Sequence, residues 1–377
     1  MLFGTEQLGF SVTTTTVLFM TLWLGSGLLE IPTGALADRY GRKRTFLVGT
    51  VLLSLYPIAY IAKLPVAAIF VVSLVSAFGS ALRSGALVPL VHDSYKKEGR
   101  SDQEYHNFLS NEKVLTFVAR ALSGVIGGIM YATSPQLPYA AIFAAYIAMI
   151  VAGLFTVEVV QEKHSTLSNR LHIKETLLAL RRTPIIIALL TSYITFQLVG
   201  EALWTAYQPL FKSDGISAQG IGLIFSIIAV LSAIGAYSSR YFMKKVGVLK
   251  TELFVGLMVL LTCLMLVSPS LLIRVLAIIP SGFAFGLSMP PIVAVVQKHV
   301  ASKFHSTALS VVSVVQYGIY GVGSLYIAFI IDTFGTEITR KILLTEAVAM
   351  TVLLVIIYLR NKKWDEVVTT IQPAPEM

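Results

Sequence analysis

Apolar residues run along this chain in long blocks, each about 18 residues or more, separated by short polar stretches. A block of that length crosses a hydrocarbon layer of about 30 Å as a helix. Inside such a layer every backbone N–H and C=O must pair within its own segment, so the blocks predict helices and not strands. Eleven spans result: 12–36, 45–63, 66–92, 111–133, 137–159, 184–208, 218–240, 251–268, 271–296, 306–331 and 338–360. The pattern therefore predicts an all-α, multi-pass membrane protein without a sizeable soluble domain.

Five spans precede the longest hydrophilic stretch and six follow it. That stretch, "EKHSTLSNRLHIKETLLALRRTP", places Ile173, Leu177 and Leu180 at helical spacing, with Lys174, Glu175, Arg181 and Arg182 on other faces. It reads either as a basic amphipathic helix lying on the membrane surface or as an unstructured linker. Three regions follow: an N-terminal bundle over 1–159, a linker over 160–183 and a C-terminal bundle with a short tail over 184–377. The two bundles echo each other, since "GALADRY" at 34–40 ends the first span and "GAYSSRY" at 235–241 ends the seventh. A whole span precedes the second copy, but only about eleven residues precede the first. The simplest reconciliation is one helix absent from the start of this sequence.

Composition agrees: 55% of the 377 residues are hydrophobic and 13% are charged, about half the charge of a soluble domain. The net charge of +9 would suit a nucleic-acid binder, but its distribution points elsewhere. Of the 29 basic residues, 22 fall in alternate loops, including Arg39 to Arg44 and Lys244 to Lys250; five lie on the opposite side and two within spans. The positive-inside rule then puts the amino terminus outside and the carboxyl terminus in the cytoplasm, in the plasma or inner membrane. Neither nucleic acid nor a cofactor is expected, and a monomer is. The one cysteine, Cys263, lies within a span and reads as packing; the six histidines show no metal-ligand spacing, and no nucleophile–base pair or phosphate loop is visible. No enzyme is expected.

Intramembrane charges are the chemical candidates, because each costs roughly 2.5–3.5 kcal/mol on insertion scales unless paired or hydrated. Counting about 1.5 Å per residue from the cytoplasmic ends puts Glu30 near 9 Å deep and Arg83 and Arg120 near 13 Å. Similar depth predicts that Glu30 pairs with an arginine, as a static ion pair or as a proton carrier. Glu201 lies apart, in "GEALWTAYQP", where Trp204, Tyr207 and Gln208 would make a ligand wall; alternatively it is a water-facing rim residue. The ninth span, "PSGFAFGLSMPPIVAVV", carries Pro280, Gly282, Gly286, Pro290 and Pro291, which can kink a helix.

"GALADRYGRKRT" resembles the cytoplasmic signature of the major facilitator superfamily. It has the glycine (Gly34), the aspartate (Asp38), the arginine–x–glycine step (Arg39, Gly41) and the basic cluster (Arg42, Lys43, Arg44) that join two helices there. "ALRSGALVPLVHDSYKKEGR" at 81–100 is similar to drug-exporter-like and sugar-efflux-like bacterial members. The resemblance implies two six-helix bundles related by a pseudo-two-fold axis, of twelve helices in all, so that the first is missing here. It implies a secondary transporter that moves a small organic solute by alternating access about a midplane site, with proton-coupled efflux foremost and uptake as the alternative. A transport-inactive product or a sensor is the remaining reading. The residues from Gly34 to Arg44 would act as a gating latch, or as a topology anchor only. "RALSGVIGGIMY" holds the glycines of an exporter motif but lacks its proline.

Overall fold

The computed structural model describes residues 1–156, 184–299 and 305–370; at some positions within these ranges, Gly34 and Asp38 among them, the side chain is outside the described set. The amphipathic stretch at 160–183 lies outside the described residues. The described residues are helical apart from turns and short connections. Ten helices among them are long and apolar enough to cross a membrane, the last of which contains two of the predicted spans. The chain forms two units, 1–165 and 166–377, each taken by itself below.

The first unit contains α1 (Leu2–Gln7), α2 (Val12–Tyr40), α3 (Arg42–Ile61), α4 (Val66–Lys97), α5 (Asp102–Thr133) and α6 (Leu137–Phe155). Ser11 starts α2 by accepting the Thr14 N–H at 3.0 Å, and Ser101 with Glu104 forms a reciprocal capping box on α5. Small residues let the backbones meet. A Cβ at Gly49 of α3 would stand 2.6 Å from the Gly79 carbonyl of α4, and Ser26 of α2 donates to Ser80 of α4 at 3.0 Å. Phe3 of α1 is buried against the Tyr60–Tyr139 stack, whose rings lie 4.9 Å apart.

The second unit contains α7 (Pro184–Ser213), α8 (Ala218–Val246), α9 (Val248–Leu266), α10 (Leu271–Leu276), α11 (Ile278–His299) and α12 (His305–Thr370). Although α12 is one 66-residue stretch, its backbone leaves helical geometry at Gly335 (φ 77°, ψ 175°), between the predicted tenth and eleventh spans. The predicted ninth span is broken at Ala277, between α10 and α11. Pro280 consequently sits in the first turn of α11, where a missing N–H leaves no helical bond unmade.

The internal repeat is real but in a different register from the one that the GALADRY and GAYSSRY match predicts. Both α2 and α8 have 29 residues and begin after a serine cap, Ser11 and Ser217. Both end on a glycine with positive φ, Gly41 at 94° and Gly247 at 97°, whose N–H returns to the carbonyl four residues back. The next helix opens at once, and Thr45 and Thr251 each donate their hydroxyl to that glycine's carbonyl. Tyr40 thus corresponds to Val246 and Asp38 to Lys244, not to Tyr241 and Ser239. Only glycine adopts that backbone cheaply, so it fixes where two helices join. A tyrosine inside a helix carries no such constraint. The same glycine–threonine step recurs at Gly335 and Thr339.

Candidate functional site

The 34–45 motif forms the end of α2, the one-residue turn at Gly41 and the start of α3. Arg39 lies over the Tyr40 ring at 5.4 Å, with both residues exposed. Lys43 is committed inside its own unit: its ammonium donates to the carbonyls of Leu154 and Thr156 at 2.8 and 2.6 Å. A cation there satisfies end carbonyls of α6 and sits at the negative end of its dipole. Arg42 and Arg44 open α3. The side chain of Asp38 lies outside the described residues, so the latch expected of it is not addressed by the geometry.

The expected pairing of Glu30 fails. Glu30 is exposed on α2 and makes no ion pair with Arg83 or Arg120 among the described residues. Arg120 is exposed on α5. Arg83 is half-buried on α4, its Nε shielded and without a hydrogen-bond partner among the described residues. Equal depth along a helix axis fixes height but not azimuth, and pairing needs both.

Around Glu201 the structure assembles more than the sequence indicated. Tyr193, Gln197, Glu201 and Thr205 recur at four-residue steps on α7 and so share one face. Gln316, Tyr320 and Ser324 do the same on α12. The faces meet: the Gln197 amide donates to the Tyr193 hydroxyl at 3.1 Å and to the Tyr320 hydroxyl at 3.2 Å, and Gln316 also donates to Tyr320. Thr205 donates to Ser324 at 3.0 Å. Gly323 makes the approach possible, because a Cβ there would lie 2.9 Å from the Leu198 carbonyl and 3.5 Å from the Glu201 Cβ. Glu201 therefore stands in a polar seam, half-buried, with no hydrogen-bond or ion-pair partner among the described residues.

An aromatic stripe runs beside that seam. Phe196, Gly200 and Trp204 face Phe285 of α11 and Phe225 of α8. Trp204 meets Phe225 edge-on at 4.9 Å and Phe285 at 5.9 Å, while staying 42% exposed. Gln208, one turn beyond Trp204, has its carbonyl oxygen shielded without a partner among the described residues. Tyr207 points elsewhere, fully buried and donating to Ser281.

Two charged features escaped sequence reasoning. Asp214, just past α7, accepts from Arg274 of α10 at 3.0 Å and from Arg340 of α12 at 2.6 Å, and Arg340 also pairs with Glu337. By sequence these were loop charges on one side; their convergence depends on three helix ends. The second is Glu252 of α9, 1% exposed, with both oxygens unpartnered among the described residues. It lies so near the start of its span that a hydropathy reading passes over it. The described residues contain no cluster of histidine, cysteine, aspartate or glutamate able to hold a metal ion.

The fold recurs among solved structures. The nucleoside transporter NupG superposes with a TM-score of 0.77 at 14% identity, over 94% of this chain and 93% of that one. A bacterial homologue of the human lysosomal transporter Spinster, inward-facing and unoccupied, gives 0.74 at 15%, over 98% and 93%. A D-xylose-proton symporter gives 0.67 at 14%, over 91% and 87%. No curated protein matches the sequence. The model of the Major Facilitator Superfamily, however, matches residues 2–324; with the paired bundles and the 34–45 junction, that match establishes that this chain belongs to the Major Facilitator Superfamily.

Proposed function

We propose that this secondary transporter moves a small amphipathic organic solute, an aromatic amine or cation for preference, in exchange for protons. The observation that carries the reading is the α7–α12 seam: a lone carboxylate, Glu201, one turn from a tyrosine–glutamine node and beside an exposed indole. A carboxylate attracts a cation, the Trp204 face adds a cation–π surface, and the same carboxylate can alternate between proton and solute. Export is the proposed direction, following the likeness of residues 81–100 to exporter-like members. The 34–44 motif, Asp38 included, is proposed to gate the cycle.

Reconstitution in vesicles tests the reading. With a proton gradient imposed, ethidium is expected to be driven against its own gradient, and a hexose is not. Glu201→Gln is expected to retain folding and lower gradient-driven flux at least about tenfold, the scale of one lost charge-assisted contact. Gradient-driven hexose flux without ethidium flux, or an unimpaired Glu201→Gln, would overturn it.

The proposed topology has its own check. The basic asymmetry places the amino terminus outside and the carboxyl terminus in the cytoplasm. Reporter fusions at the two ends are expected to read opposite sides; both ends on one side would rule out an odd number of crossings.

A further inference from the structure

We propose that Glu252 is a proton-carrying residue of the C-terminal unit, a second acid besides Glu201, which holds its proton in this conformation and releases it when the α8–α9 end of the unit opens to water. Its coupling role rests on the transport reading above; its protonation does not.

Glu252 occupies a position that an apolar residue would be expected to fill. Val248, Leu249, Val255, Gly256, Val259 and Cys263 are among the buried residues that share its side of α9. Gly256 lets Leu354 of α12 come so close that a Cβ would stand 2.4 Å from it. Neither carboxyl oxygen finds a donor among the described residues. The neighbouring hydroxyl of Thr251 is already given to the Gly247 carbonyl at 2.6 Å. An anion placed there would lose its hydration and gain nothing in return, whereas the acid form buries at far smaller cost.

Among the described residues, the charged groups on the surrounding elements do not supply a counter-ion. Arg240, Lys244 and Lys245 of α8, Lys250 of α9, and Arg360 and Lys362 of α12 are all exposed. Arg274 of α10 is held by Asp214. Glu346 of α12 is itself an acid and brings no positive charge. Tyr193 of α7 is the titratable group within electrostatic reach of Glu252 among the described residues.

Position makes the site switchable. Glu252 lies five residues past Gly247, about 7.5 Å along the helix axis from the junction turn. A modest parting of α9 from α12 would admit water. The O–H bond of the acid then breaks, its proton passes to that water, and the carboxylate left behind is hydrated close to the junction turn. A buried acid with a short dry path to one end can thus take up and return a proton in step with the opening of its bundle.

Infrared difference spectroscopy on the full chain in lipid vesicles at neutral pH tests the assignment. Wild type minus Glu252→Gln is expected to show the carbonyl band of a protonated carboxylic acid, shifted in D2O. Because Gln mimics a neutral acid, the variant is expected to melt at the wild-type temperature. Its proton-driven ethidium flux is expected to fall at least about tenfold. Loss of a carboxylate band instead, together with a lowered melting temperature, would mean that Glu252 is an ionised structural residue and would overturn the proposal. So would wild-type proton-driven flux in the variant. A wild type that moves no ethidium but shows the acid band would remove the transport reading and uphold the protonated acid.

Discussion

Replacing Gly286 by Ala is expected to destabilise the C-terminal unit by at least about 3 kcal/mol, the upper end of ordinary overpacking in a close-packed core. A Cβ at Gly286 of α11 would stand 1.8 Å from the Ser232 carbonyl oxygen and 2.6 Å from its carbon. That neighbour is backbone of α8, and no side-chain rotation relieves the overlap. The same interface already uses its other tolerances: a Cβ at Gly235 would meet the Phe283 carbonyl at 2.3 Å, and the Ser232 hydroxyl donates to the Gly282 carbonyl at 2.9 Å. The helices would have to part, and with them the aromatic contact of Phe285 with Trp204 and Phe196. Thermal unfolding in detergent measures the effect, and a fall of roughly 6–12 °C corresponds to that loss in a unit of this size. Gly127 supplies the control, since nothing lies within 4 Å of a Cβ built on it. Gly127→Ala is expected to be neutral or slightly stabilising through the gain in helix propensity. Equal effects at the two sites would refute the close-packing account.

Asp214→Asn is expected to cost about 3–5 kcal/mol, as removal of one partner from a buried charge network does. One oxygen of Asp214 serves both Arg274 and Arg340, and the Arg340 side chain is 2% exposed. Without the anion, Arg340 retains the largely exposed Glu337 and a 3.4 Å bond to the Leu210 carbonyl. A desolvated guanidinium so weakly paired is worse placed than an apolar group of the same shape. Adding Arg340→Met to Asp214→Asn is therefore expected to recover part of the loss, which a double-mutant cycle measures. A loss below about 1 kcal/mol, typical of a surface ion pair, would show that the network is solvated and not structural.

Much of the architecture was legible in residue pattern, because the membrane leaves so few choices. Apolar blocks of this length have one way to satisfy their backbone, so helix type and approximate bounds followed directly. The junction at Gly41 was legible as well, through the resemblance of 34–45 to a motif that joins two helices. The repeat was detected for partly the wrong reason. A resemblance of side chains within helices suggested an offset that the serine caps and turn glycines shift by five residues. The candidate site was legible in one residue, Glu201, which stands out as a charge in a span. Its companions Gln197, Gln316 and Tyr320 are ordinary polar residues on two distant helices, and nothing in either helix alone pairs them.

The sequence by itself determined the all-helical character, the rough limits of most helices and the division of charge between loops. These depend on local chemistry: how long an apolar run is and where a cation can stay in water. Tertiary structure decided which charges meet. Glu30 and Arg83 lie at similar depths by sequence yet do not pair, while Asp214, Arg274 and Arg340 come together from three helix ends, and Glu252 is left in an apolar core without a hydrogen-bond partner among the described residues. The physical reason is that a helix fixes the height of a side chain through its rise, but its facing is settled only when neighbouring helices dock. Here the docking is set by backbone contacts at Gly49, Gly79, Gly286 and Gly323, whose partners lie tens of residues away in the chain.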